Sequence, residues 1–593
     1  LIHSLVKALQ SSDFSAVTNR PLQHCIRTME NLAAIGSVRE TILGELTEAA
    51  VKAAEGARRD LSTFNDSPSF LADLISGSSA QTRLLRLLKV LVAMTIKLAD
   101  DREDGDRLYD HINGADREVL KQRLAKISWD EGIARLDEIG DRIDLASALL
   151  PYIESFVLTC RLLAALGQPS GLAAFAERYR KIVNGLIRAT PSLLTTGSFA
   201  PLARFPRYLD FDNKRVWFRQ QLHRRTAARE THSQPLQLNI RRAEIFDDSY
   251  RQLATRPADE FKYGKIAVRF HGEDGVDAGG VTREWFGELS RAIFNPDYAL
   301  FRTTAADKIT YQPNRMSYVN PDHLLYFRFV GRIIGKAIYD NRLLDCYFAR
   351  SFYKHMLGVP VDLQDLEAID PEYWKSLHWL IDNDITDVFY QTFSVDTDDF
   401  GVAKVIDLKP DGRNIPVTEE NRREYVRLMV EYRLTGSIKP QIDAFLAGFH
   451  EIIPAHLVAV FTDQELELLI SGLPEMDIDD WKANTELTGY KPSDPPIQWF
   501  WRAVRAMDHQ ERVQLIQFVT GTSKIPLEGF SHLQGQNGVQ KFQIHRDYGS
   551  RDRLPSAHTC FNQLDLPEYE SYEQLRDALL KAIKECSTGF GLA

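Results

Sequence analysis

The apolar residues of this chain change their spacing part-way along, and that change constrains the fold more than any other feature. From Ile2 to about Ala203 they recur at helical intervals, broken by short Gly, Ser, Asp and Pro segments. After residues 231–238 (THSQPLQL) the pattern becomes strand-like alternation mixed with helix, first at Lys265 to Phe270. One repeating architecture cannot carry both periods. The sequence therefore predicts a multidomain fold, an all-α region followed by an α+β one. At 593 residues the chain is also longer than one hydrophobic core usually organises.

In the first region Leu84, Leu87, Leu88, Leu91 and Met94 share one helix face, and Leu85, Val92 and Ile96 widen it. Such a helix needs neighbours on several sides. Repeated helix pairs without a cofactor motif suit an armadillo or HEAT-like α-solenoid over residues 1–203. No strict period is visible, and an irregular helical bundle is the other reading. Residues 204–240 read as a basic helical linker. Its stretch RVWFRQQLHRRTAAR (215–229) fits a solvated amphipathic helix, or else a phosphate-binding or nuclear-localisation segment.

Elsewhere acidic and basic residues are mixed, with a formal net charge of −10, so nucleic acid is not an expected partner. Five cysteines, at Cys25, Cys160, Cys346, Cys560 and Cys586, lie far apart without CxxC spacing. That argues against disulfides and zinc and fits a reducing compartment, cytoplasmic and nuclear. The most apolar stretch, 84–98, is interrupted by Arg86, Lys89 and Lys97, so no membrane span is expected. No metal or other cofactor is expected. The chain starts at Leu1 without a signal-peptide pattern and is expected to be a fragment of something longer.

In the second half, Val281 to Ile293 reads as a helix and residues 323–357 as helix-rich. Two breaks follow, LPEMDIDD at 473–480 and KPSDPP at 491–496. From Trp481 a small α/β unit is expected. Its helix starts are marked by Asp508 with Glu511 and by Ser571 with Gln574, and a strand by Gln540 to His545. Between that strand and the last helix lies LPSAHTCF at 554–561, a loop that would expose its chemistry.

Cys586 and Cys346 sit at core-like positions, and Cys25 and Cys160 lie in apolar helical patterns. Cys560 differs. It lies in the loop beside His558 and near Arg551 and Arg553, and nearby positive charge favours the thiolate. These neighbours alone leave it either a nucleophile or a structural cysteine. Phosphate-loop, dinucleotide, zinc-protease and serine-hydrolase motifs are missing, and the glycines from Gly272 to Gly280 read as a structural turn.

Longer motifs go further. They include VDAGGVTREWF at 276–286, NPDHLLYFRFVGRIIGKAIYD at 320–340 and RLLDCYFARSFYKHMLG at 342–358. ELELLISGLP from Glu465, IQWFWRAV from Ile497, QFVTGTSKIPLEGF from Gln517 and LPSAHTCFNQLDLPEYESYEQL from Leu554 continue the series. In this order they resemble the HECT family of ubiquitin ligases from about Arg241 to Ala593. KFQIHRD, NQLDLPEYES and the tail ECSTGFGLA are most similar to the giant Mule-type members and their fungal counterparts.

The resemblance implies a bilobal catalytic domain, with an N-lobe at 241–476, a hinge at 477–480 and a C-lobe at 481–593. It implies that Cys560 carries ubiquitin as a thioester, that His558 and Thr559 belong to its loop, and that Phe590, fourth from the last residue, aids transfer to lysine. Its partners would be ubiquitin, a ubiquitin-conjugating enzyme (E2) and protein substrates. The E2-binding subdomain would span about 352–433, with Leu377, Ile381, Phe393, Tyr425 and Met429 as candidates that could equally be core. A cysteine hydrolase and an interaction scaffold are the rival readings. The hydrolase lacks an identifiable residue to orient His558.

Overall fold

The computed structural model describes the chain apart from residues 1, 12–19, 34–35, 98–106, 225–233, 274–279, 306–309, 387, 400–401, 473–475, 521–524, 526–528, 536–537 and 586–593. Its contacts divide it into two compact units, Leu1–Gln221 and Leu222–Ala593.

The first unit is helical, as its apolar spacing requires. Helices α1 (Ile2–Leu9), α2 (Arg20–Ala33), α3 (Gly36–Ser62), α4 (Pro68–Ile75) and α6 (Leu150–Ala165) all pack on α5 (Ala80–Thr95). Leu84, Leu87, Leu88, Val90 and Leu91 of α5 are completely buried. Even Arg86 is buried, and it donates to the carbonyls of Ser11 and Gly77 at 3.2 and 2.5 Å. One core of the unit thus converges on this helix, and a second, from Ala57 to Leu209, gathers the helices that follow.

The span 204–240, expected as a basic helical linker, holds a helix and a strand among its described residues. Helix α7 (Phe211–Leu222) begins inside it, with Phe218 buried and with Lys214 and Arg215 buried beside it. A basic sequence was read as solvated, yet long cationic side chains can lie against apolar neighbours along their stems. Strand β1 (Leu236–Ile240) already belongs to the second unit, paired in parallel with β2 (Ile266–Phe270).

Within the second unit α8 (Gly280–Ala292) packs on β2, and α9 (His323–Tyr339) crosses α12 (Lys439–Ile452) at close range. Gly331 and Gly448 permit that crossing, since a methyl at either would meet a backbone oxygen at 2.1 or 1.9 Å. Each large side chain buried at the crossing, such as Phe445 and Phe449, contributes about 1.5–3 kcal/mol. Arg332 and Lys336 of α9 are buried too. Their charges are met by the carbonyls of Leu253, Ala254, Arg256, Lys262 and Gly264 and by Glu451 and Asp340.

Residues between 349 and 434 form a smaller core. It joins α10 (Pro371–Asp382), the hairpin β3 (Ser394–Asp399) and β4 (Val402–Asp407), and α11 (Arg422–Leu434). The larger part ends with α13 (Asp463–Ser471), closed by Gly472 at φ +77°.

Residues 477–480, expected as the hinge, are the cap and first turn of a helix. Asp477 caps α14 (Ile478–Ala483) by accepting from the Asp479 and Asp480 amides at 2.9 and 3.1 Å. Acidic residues in a first turn are favoured by the helix dipole, so this acidic run starts a helix where it was read as a break. Trp481 of α14 is completely buried and stacks on Phe530 at 4.9 Å. It anchors a separate core that reaches to Ile583.

That core surrounds a four-stranded sheet in the order β7–β8–β6–β5. Strands β5 (Thr485–Thr488) and β8 (Gln563–Pro567) run parallel to β6 (Phe542–Asp547), and β7 (Ser556–His558) runs antiparallel to β8. Three helices, α15 (Pro495–Ala506), α16 (His509–Thr520) and α17 (Tyr572–Glu585), contribute to the same core. Asp508 and Glu511 form the expected reciprocal cap, while Gln574 accepts from the Glu570 amide and Ser571 from the Gln574 amide. No helix among the described residues is long and apolar enough to cross a membrane.

Candidate active site

The hairpin of β7 and β8 presents the residues that the sequence singles out. His558 lies opposite Gln563, and Thr559 to Asn562 close the turn. Its first three residues, Cys560 among them, form one turn of 3-10 helix. Asn562 completes it at φ +50°, a left-handed conformation that asparagine enters more readily than most residues. The Asn562 side chain is fully buried and donates to the Gln540 carbonyl at 2.6 Å. Its backbone carbonyl accepts from the Gln543 amide at 2.8 Å. Both ends of the turn are thus fixed to the sheet.

The His558 side chain is 56% exposed, and its Nε2 lies 2.9 Å from Asp565 Oδ2. The other carboxylate oxygen accepts from Gln563 Nε2 at 2.6 Å. A carboxylate on one ring nitrogen orients an imidazole. Sequence reasoning missed Asp565 because seven residues separate the pair and only the hairpin joins them. Alternation on a second strand after the cysteine was the signal that could have found it.

Arg551, expected to favour a thiolate, is paired with Glu570 and Glu568 at 2.8 and 3.8 Å. Its charge is largely answered there. The cation that reaches the turn is Arg283 of α8, distant in sequence. Arg283 Nη2 donates to the Thr559 carbonyl at 3.1 Å, and Nη1 to Asn562 Oδ1 at 3.4 Å. Arg283 is buried in this pose. The adjacent Glu284 pairs with Arg242 at 2.7 Å, and burial pushes its carboxyl up despite that partner.

A second site lies on the smaller core. An open groove of about 670 Å³ is lined by Leu377, Leu380, Phe389, Tyr425 and Met429 with Trp379 and Val395. Glu372, Lys375 and Asp396 add charge at its edge. Trp379 is exposed, and Val388 and Tyr390 stand exposed in the following segment. Of the five residues expected here, Leu377, Tyr425 and Met429 line the groove although each is buried. Phe393 and Ile381 do not line it. Phe393 is completely buried under Lys409, and Ile381 packs against the same core. Apolar spacing alone does not separate a groove wall from the core behind it.

A family model described as the HECT domain, ubiquitin-transferase, matches residues 287–593. The chain belongs to the HECT family. A TOM1-like E3 ubiquitin-protein ligase of Neurospora crassa is 47% identical over 97% of this chain and 15% of its own length. The E3 ubiquitin-protein ligase ptr1 of Schizosaccharomyces pombe is 46% identical over 97% of this chain and 18% of its own. HUWE1 of the mouse, also named an E3 ubiquitin-protein ligase, is 54% identical over 71% of this chain and 10% of its own. The chain therefore spans less than a fifth of each relative, and the likeness to the giant animal and fungal HECT ligases is borne out.

On this HECT domain, His558 caps the turn that holds the Cys560 backbone, and Thr559 begins it. The Cys560 side chain, Cys586 and Phe590 lie outside the described residues. Cys25, Cys160 and Cys346 are buried free thiols, as their apolar surroundings led one to expect. Burial pushes the Cys160 thiol up to about 12, which makes it a poor nucleophile. Among the described residues no His, Cys, Asp and Glu cluster could hold a metal.

Proposed function

We propose that this chain carries the catalytic activity of a HECT-type E3 ubiquitin-protein ligase, with Cys560 as the thioester cysteine. The family match over the span containing the Cys560 turn is the observation that supports this most directly. In the first step the Cys560 thiolate attacks the ubiquitin thioester on an E2. A tetrahedral oxyanion forms and collapses, the E2 thiolate leaves, and ubiquitin is held on Cys560. In the second a substrate lysine, after losing a proton, attacks that thioester. An isopeptide bond forms and Cys560 leaves as thiolate.

Exchange of one thioester for another is nearly balanced in energy, so positioning and oxyanion stabilisation carry the catalysis. Backbone amides at Thr559 and Cys560 serve the oxyanion. The His558–Asp565 pair supplies the proton acceptor for the lysine, with Asp565 orienting the ring. Phe590 aids delivery to lysine. The groove of α10, β3 and α11 receives the E2, and exposed Trp379 beside an apolar wall is the kind of surface that anchors a partner. The lobe that begins with α14 swings between receiving and delivering poses.

The helical first unit recruits substrates or restrains the catalytic domain. Modified proteins pass to proteasomal degradation, in the cytoplasm and nucleus. The test is a charging reaction with activating enzyme, E2 and ubiquitin. A reductant-sensitive ubiquitin adduct is expected with the wild-type chain and not with Cys560→Ala, and an adduct that survives the substitution refutes the assignment.

Asp565 also favours a second reading, a cysteine hydrolase, since it is the orienting residue that such a site needs. Water would then take the acyl group from Cys560. A ligase lengthens ubiquitin chains in the same reaction, whereas a hydrolase shortens preformed ones.

A further inference from the structure

Helix α8 touches the small lobe at two points on one face. Arg283 grips the Cys560 turn on both sides of the cysteine, at the Thr559 carbonyl and at Asn562 Oδ1. Two turns further along the helix, Arg291 Nη2 donates to Gln517 Oε1 at 3.2 Å. In all three contacts a cation on α8 meets a neutral oxygen on the lobe. Arg291 keeps its ionic partners on its own side, Glu288 at 2.9 Å and Asp345 at 3.3 Å. These contacts are charge-assisted without a carboxylate across the seam, a combination that is directional yet easier to break than buried ion pairs.

The seam and the groove are built from different elements. The groove uses α10, β3 and α11, and none of its lining residues lies on α8. Holding the turn and holding a carrier are thus tasks of separate elements. We infer that Arg283 is a positioning residue, a clasp that holds the Cys560 turn in the lysine-delivering pose and lets go of it for charging. This rests on the ligase reading above.

Asn562 makes the clasp effective. Its side chain joins Arg283 on one side to the Gln540 carbonyl on the other, so an arginine on α8 is coupled directly to the left-handed residue that shapes the turn. Loosening Arg283 loosens the turn's orientation, and small misplacements of a reacting group are costly in rate.

Single-turnover reactions separate the two steps: transfer from ubiquitin-loaded E2 to the chain, and discharge of the purified adduct to free lysine. Arg283→Met is expected to slow discharge about tenfold or more while charging stays within about threefold. Arg283→Lys, which keeps one donor, is expected to recover part of the discharge rate. Gln517→Glu makes the second contact ionic at a half-buried position and should tighten the docked pose, slowing charging and leaving discharge undiminished. That variant carries the test even if Arg283→Met folds poorly. Equal loss of both steps, no change in either, or faster charging with Gln517→Glu overturns the inference. A wild-type chain that forms no Cys560 adduct overturns the ligase reading, and this one with it.

Discussion

Replacing Gly448 by alanine sets two effects against each other, and the structure decides which wins. In an ordinary helix interior the change stabilises by about 1 kcal/mol, because glycine loses more backbone freedom on folding. Here the new methyl would lie 1.9 Å from the Arg328 carbonyl oxygen and 2.8 Å from its carbon. A comfortable carbon–oxygen contact needs roughly 3.3 Å, so α9 and α12 must part locally by about 1.4 Å. The obstructing atoms are backbone and cannot rotate aside. Parting also loosens Val330, Ile334, Phe445 and Phe449, all fully buried. Overpacking costs about 1–3 kcal/mol, and this geometry belongs at the upper end. The net expectation is a loss of about 2 kcal/mol, a large share of the 5–15 kcal/mol typical of a domain. Urea unfolding followed by circular dichroism measures it. Gly287→Ala in α8 is the control, since nothing lies within 4 Å of its added methyl, and it should gain about 0.5–1 kcal/mol. A Gly448→Ala chain as stable as wild type would refute the reasoning.

Asp565→Asn removes the carboxylate that orients His558 and should slow lysine discharge about tenfold or more. A discharge rate equal to that of wild type argues against the pair. Trp379→Ala should weaken E2 binding with stability nearly constant, whereas Leu377→Ala, buried behind it, should cost about 2–5 kcal/mol of stability. Titration against ubiquitin-loaded E2 and parallel melts separate the two. The Asp248 carboxyl is held at about 2 by Arg241, whose guanidinium approaches within 2.7 Å. Its folded value lies below the unfolded one, so its contribution is present above about pH 4 and is lost as pH falls toward 2. Acid unfolding of Asp248→Asn should lack that increment, of about 2 kcal/mol.

Much of the catalytic domain was legible because its signals are local. The alternation at Ile266–Phe270, the helix at Gly280–Ala292 and the Asp508–Glu511 cap each depend on residues a few positions apart. Strand β8 was not legible. Its five residues end in Pro567 and follow the turn directly, so they read as a continuation of the loop. With β8 missed, Asp565 was missed, since the His558 contact exists only across the hairpin. Arg283 was beyond reach for the same reason on a larger scale, with 276 residues separating it from Thr559. Charge misled in two places. Arg215 begins a stretch expected to be solvated and is buried, and the acids after Asp477 lie in an expected break and begin a helix. In both, composition describes the side chain's tip while packing is decided by its stem or by the backbone amide that it caps.

Trp481 lies four residues beyond the acid that caps α14, sealed between Phe530 and Trp501 in the small lobe's own core. Its surroundings belong to the small lobe, so the proposed swing of that lobe carries the indole and its neighbours together. Emission from this tryptophan is then blind to the swing and bright to melting of the lobe. A dye pair with one member on each lobe would have the opposite sensitivity, and the two signals together would distinguish a lobe that turns from one that comes apart.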